Sequence, residues 1–258
     1  MDLDSSDRPL YPLALFTLWR WRDAAEAAQR HGSPAFARYC RAWEAGSTIL
    51  FDPHAALTTY DRIISDSDRT KPTGDRWWAS TGAALACLAL DDGAGALTRA
   101  HAARETFDEE TFAWGGSIVL HGAAVESMAL AHLGRFSEAR ALLADATRGV
   151  LRDRYPIVAH DCLVALAYIT FREGDPIRAA TLLEPVLTDG RVRHYLVYFF
   201  VARFLTELQA EVTGADLDPP LPSLEFFTAK GRGILAGEVE PDASATERIE
   251  RALVEFVG

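Results

Sequence analysis

ALAHLGRFSEARALLADA, Ala129–Ala146, reads as the end of one helix, a tight turn and the start of the next. Leu130 and Leu133 close an apolar helix. Gly134 supplies the permissive backbone that a helix end needs. Phe136 is the apolar plug between the two helices. Ser137 and Glu138 lead into Ala139, Leu142, Leu143 and Ala146, which recur at helical spacing. The small Ala139 lets the second helix lie close to the first.

The pattern returns at Tyr168–Leu187, YITFREGDPIRAATLLEPVL. Gly174, Ala179 and Leu183 each fall 40 residues after Gly134, Ala139 and Leu143. Towards the N-terminus, Ala96, Ala100 and Ala103 precede Ala139, Leu143 and Ala146 by 43, and Ala56, Tyr60 and Ile63 precede those by a further 40. Four helix-turn-helix units in register predict a repeat architecture. Twelve segments carry the helical pattern: 9–30, 34–48, 53–65, 77–90, 94–106, 112–133, 137–150, 156–172, 176–187, 191–212, 224–237 and 243–257. The chain reads as all-α, with about 11–12 helices, and no alternating strand pattern of useful length occurs.

The order small residue, Gly–x–aromatic turn, Ala, bulky apolar, Ala resembles the tetratricopeptide repeat (TPR). The match is best over 123–146, fair over 163–187 and weak elsewhere. A standard unit is about 34 residues, so periods of 40 and 43 imply longer helices or loops. Lengthened units of this kind resemble the helical sensor regions of the MalT-like and LuxR-type bacterial ATPase regulators. The resemblance implies a right-handed α-solenoid of TPR-like hairpins over 9–258, and a binding role in bacterial regulation.

Residues 1–8 read as a disordered tail, and GADLDPPLPS, within 213–223, as a proline-rich connector before the terminal helix pair. The chain has 258 residues and a formal net charge of −11, which argues against direct nucleic-acid binding because phosphate backbones repel it. Cys40, Cys87 and Cys162 are far apart and odd in number, the usage expected of buried, reduced thiols in a cytoplasmic protein. No apolar run reaches the roughly 18–20 residues of a membrane span. The sequence contains no GxxxxGK[ST], no GxSxG and no HExxH, and neither a metal nor a cofactor is expected.

In stacked hairpins the first helix of each pair lines the concave side, with one face recurring at about i, i+4, i+7, i+11. That wall is expected to carry Arg38, Arg41, Trp78, His121, Met128, His132, Asp161, Tyr168 and Arg172. Aromatic area with a few polar groups suits a small molecule or a peptide; the alternative is solvated histidines and ordinary surface charge. Trp19 and Trp21 read either as an end cap packed on the first repeat or as an aromatic lip. Glu44, Glu126 and Glu207 fall where small or apolar residues are expected, so each needs a cross-helix or i,i+4 partner or else has a raised pKa. Two functions follow. One is a TPR-like module holding a small effector or a peptide or protein partner. The other is an enzyme doing acid–base chemistry on a hydrophobic substrate in an enclosed pocket, with His121, His132, Asp161 and Glu126 as its catalytic groups. Segment 191–212 carries apolar residues on all faces, so it reads as a fully buried helix or an interface; in the second case its aromatic stretch 195–204 offers a homodimer face.

Overall fold

The computed structural model describes residues 20–67, 74–105, 115–153, 156–189, 197–218, 220–222 and 243–258. The expectations for the tail, for Trp19, for most of the 66–75 loop and for a helix at 224–237 lie outside these residues. Eleven helices and no strand make up the described residues: α1 Trp21–Arg30, α2 Pro34–Thr48, α3 Pro53–Asp66, α4 Gly74–Ala89, α5 Gly93–Glu105, α6 Gly115–His132, α7 Phe136–Asp153, α8 Pro156–Arg172, α9 Pro176–Asp189, α10 Val197–Glu211 and α11 Ala243–Val257.

The turns repeat in atomic detail. Gly134 takes φ +73° and Gly174 φ +91°, in the left-handed region that glycine enters without steric cost. At the first turn the Arg135 amide donates to the Leu130 carbonyl and the Gly134 amide to Ala131, both at 2.9 Å. At the second, Asp175 donates to Thr170 and Gly174 to Phe171. This is the paired bonding of a Schellman helix end. The α4–α5 turn uses the same bonds, with Asp92 donating to Cys87 and Asp91 to Leu88, but its left-handed residue is Asp91, at φ 62°. Aspartate is among the few side chains that tolerate this region. α3, α5 and α9 begin on side-chain caps: Asp52, Asp92 and Asp175 accept from the amides of Ala55, Gly95 and Arg178.

The registered positions are all core. Ala56, Ala96, Ala139 and Ala179 are fully buried, as are Tyr60, Leu143 and Leu183. Leu133, in contrast, is turned outward and exposed. First helices pack on first helices: α2 on α4, α4 on α6, α6 on α8. Second helices α3, α5 and α7 lie behind them, each between its own partner and the next first helix, and α9 backs α8. α11 closes the C-terminal end against α7, α8 and α9, where Arg248 pairs with the buried Glu184 and with Thr188.

α10 departs from this order. It touches α2, α4, α8 and α9, so it lies across the row of first helices. Its buried residues Phe200, Val201, Phe204, Leu205 and Leu208 belong to the main core. Phe200 and Phe204, expected at a homodimer face, pack inside the chain on Tyr168 at 5.5 and 5.4 Å between ring centroids. They are therefore not available to a second copy.

Tyr60 is the one bulky aromatic at its register position, and it is accommodated by Gly82. A Cβ placed on Gly82 would lie 2.3 Å from Tyr60 Cζ. Gly82→Ala is expected to destabilise by about 1–3 kcal/mol through overpacking, despite alanine's helix propensity. In a Tyr60→Leu background the same change should cost a small fraction of that. Urea midpoints of the four proteins check the coupling, and equal costs in both backgrounds would disprove it.

Candidate functional site

Three residues at one repeat position form a rung across the row. Trp78 on α4, His121 on α6 and Asp161 on α8 are separated by 43 and 40 residues. Their side chains meet. The Trp78 and His121 ring centroids are 5.7 Å apart, and His121 Nδ1 lies 2.6 Å from Asp161 Oδ2. α2 extends the rung with Trp43, 5.5 Å from Trp78, and Tyr39, 6.1 Å from Trp78. Trp77 stands beside Trp78 against the same imidazole, 4.9 Å from Trp78 and 5.5 Å from His121. The register thus places an aromatic wall against a buried carboxylate–imidazole pair.

The pair is deeply buried, with side-chain exposures of 4% for His121 and 2% for Asp161. A carboxylate only accepts, so Nδ1 donates to Oδ2. The remaining polar atoms of the pair, His121 Nε2 and Asp161 Oδ1, are enclosed without a hydrogen-bond partner among the described residues, and so is Thr81 Oγ1, one turn along α4 from Trp77 and Trp78. Buried polar groups are normally satisfied, and exceptions mark strain, function or an unfilled place.

The other expected wall residues divide. Arg38 Nε donates to Asp75 Oδ2, which also accepts from Ser67; it ties α2 to the start of α4. Arg41 is half-buried on the same helix. Met128 is core. His132 has both ring nitrogens engaged, Nδ1 with the Tyr168 hydroxyl at 2.7 Å and Nε2 with Asp91 Oδ1 at 2.9 Å, so it locks the α4–α5 turn to α8. Tyr168 is buried under α10. Arg172 is exposed, and its Nη2 donates to the His132 carbonyl at 3.4 Å.

The catalytic quartet is not one site. Glu126 lies five residues after His121, about 140° round the helix, and faces α5. There its oxygens meet His101 Nε2 and Arg104 Nη1, each at 2.7 Å. His132 is three turns from His121. Only His121 and Asp161 remain together. Glu44 likewise has a cross-helix partner in Arg22, and Glu207 an i,i+4 partner in Arg203. Trp21 packs on Trp43 at 6.0 Å, as the packing alternative expects. Tyr39, Trp43 and Trp77 stand at the rung and are not among the residues expected on the wall. The adjacency of Trp77 and Trp78 was the available signal that two faces of α4 carry rings.

The tyrosines set an alkaline limit. Burial pushes the Tyr39 phenol up to about 12 and raises those of Tyr60 and Tyr168 above the ordinary value. Unfolded phenols titrate near pH 10. These groups therefore contribute stability that is whole below pH ~10 and lost as pH rises through their folded values. Urea midpoints should hold to about pH 10 and then fall, with these tyrosines ionising only as the chain unfolds. Tyrosinate absorbance that titrates fully near pH 10 in the folded protein would contradict this.

Burial also pushes the Cys40 and Cys162 thiols up to about 12, and Cys87 is buried too. Among the described residues no group of three His, Cys, Asp or Glu could hold a metal ion, and no helix is long and apolar enough to cross a membrane. A small groove lies elsewhere, between α7, α8, α9 and α11, lined by Arg140, Thr170, Arg178 and Phe256 among others. Comparison of the chain with protein-family models, with curated proteins and with solved structures finds no match.

Proposed function

We propose that the chain is a TPR-like α-solenoid that binds a small-molecule effector on the inner side of its first helices, in bacterial regulation. The ligand site is the rung of Tyr39, Trp43, Trp78, His121 and Asp161, at the N-terminal half of the row. One observation carries this reading: polar atoms of His121 and Asp161 are left unpartnered behind an aromatic wall, the combination of apolar area and few polar groups that ligand sites use. With α10 lying across the row, the rung suits a small molecule better than an extended peptide.

The test is native mass spectrometry of the protein recovered from an extract of its host. Wild type should carry a discrete small-molecule adduct, and Trp78→Ala with unchanged circular dichroism should lose it. An adduct retained by Trp78→Ala places the ligand elsewhere.

A second reading has one observation in its favour. A carboxylate on Nδ1 with Nε2 left over is how a general base is oriented. The same experiment with His121→Gln separates the two. An adduct of equal mass on both proteins means binding alone, whereas a different mass means that His121 performs chemistry on it.

A further inference from the structure

The rung also constrains the chemistry of what it binds, if it is the ligand site. Asp161 Oδ1 is buried without a partner among the described residues, and a carboxylate accepts hydrogen bonds and never donates. The group that satisfies it is therefore a donor. On the α4 side of its partner His121 stand the rings of Trp77 and Trp78, 5.5 and 5.7 Å from the imidazole, and Trp43 and Tyr39 continue them on α2, linked by centroid distances of 4.9 to 6.2 Å. Indole and phenol faces attract cations through the ring quadrupole. A carboxylate with an unpartnered oxygen, one imidazole away from aromatic faces, is complementary to an organic ammonium on a flat apolar body that spans the imidazole. The whole chain points the same way, since a net charge of −11 draws cations inward.

Arg38 is neutralised by Asp75. Arg41, one turn on and half-buried, has no ion pair among the described residues, and it is the group that would favour an anion instead. The two signs of ligand are therefore set against each other in one experiment. Trp78 is half-buried where His121 and Asp161 are buried, which makes its ring the way in.

We propose that the Trp78–His121–Asp161 rung binds an aromatic or alkyl primary ammonium, the nitrogen donating to Asp161 and the apolar body lying on Trp78. The proposal rests on the ligand site assigned above. It is tested on the full chain with phenethylammonium and phenylacetate, which share a ring and differ in the charge of the head group, at matched ionic strength. Binding is read by tryptophan emission and by the concentration dependence of Tm.

Phenethylammonium should change the emission saturably and raise Tm, while phenylacetate does neither. Its apparent Kd should rise at least tenfold in Asp161→Asn. Should that variant fail to fold, Trp78→Leu, which alters a half-buried ring, should show the same loss. Tighter binding of phenylacetate, unchanged affinity in Asp161→Asn or Trp78→Leu, or saturation by neither compound overturns the ammonium assignment. If the host-extract adduct still depends on Trp78 in that event, the site stands and only the chemistry of its ligand was misread.

Discussion

His121→Ala is expected to lower stability by about 3–5 kcal/mol, because it strands the buried Asp161 carboxylate without a partner. Asp161 is 2% exposed and its described hydrogen bond is the one to His121. The penalty belongs to the orphaned charge and not to the attraction between the two groups. The companion variants separate these. Asp161→Asn removes the charge while leaving an amide that still hydrogen-bonds, so it should cost less than His121→Ala. His121→Leu combined with Asp161→Leu removes both polar groups, and it should recover much of the loss, since replacing both partners of a buried hydrogen bond by apolar groups is often nearly neutral. Urea denaturation at pH 7 with the slope held in view measures all three. If His121→Ala falls within about 1 kcal/mol of wild type, water already reaches Asp161 and the rung is an open, hydrated surface.

Much of this architecture was legible because the repeats impose the same environment on the same position. Gly134 and Gly174 share a left-handed φ, and the alanines that follow them share complete burial. The 43- and 40-residue spacing also led to His121 and Asp161, which do touch. Three things were hidden. Asp91 takes the place of glycine at the α4–α5 turn, and the local sequence DDG offers a glycine two residues later as a misleading candidate. Glu126 looked anomalous on its own helix because its partners, His101 and Arg104, are supplied by α5, and one-dimensional spacing does not report cross-helix pairs. α10 was the largest omission. Apolar residues on several faces say that a helix is buried, but they do not say against which surface. By spacing, Leu208 is Tyr168 plus 40 and Gly214 is Gly174 plus 40, so the sequence continues the repeat. The helix nevertheless lies across α2, α4 and α8.

That placement makes Phe204 the residue on which the inner face depends. Its ring is 1% exposed and meets Tyr168 and Phe171 edge-on, each at 5.4 Å, and Phe200 in a stacked arrangement at 6.4 Å. Phe204→Ala is expected to cost about 3–5 kcal/mol, combining lost transfer energy with a cavity that three aromatic neighbours cannot close. The consequence should be local before it is global. α10 makes fewer contacts with the row than the row helices make with one another, so it opens at lower free energy than they do. Amide exchange should show protection lost first over 200–211, with α6 and α8 holding theirs until the main transition. Phe204→Leu, which keeps an apolar side chain in the same place, should restore most of the protection. Uniform loss of protection across all helices would mean instead that α10 folds as one unit with the hairpins, and that it is an integral layer of the core instead of a helix laid over a finished row.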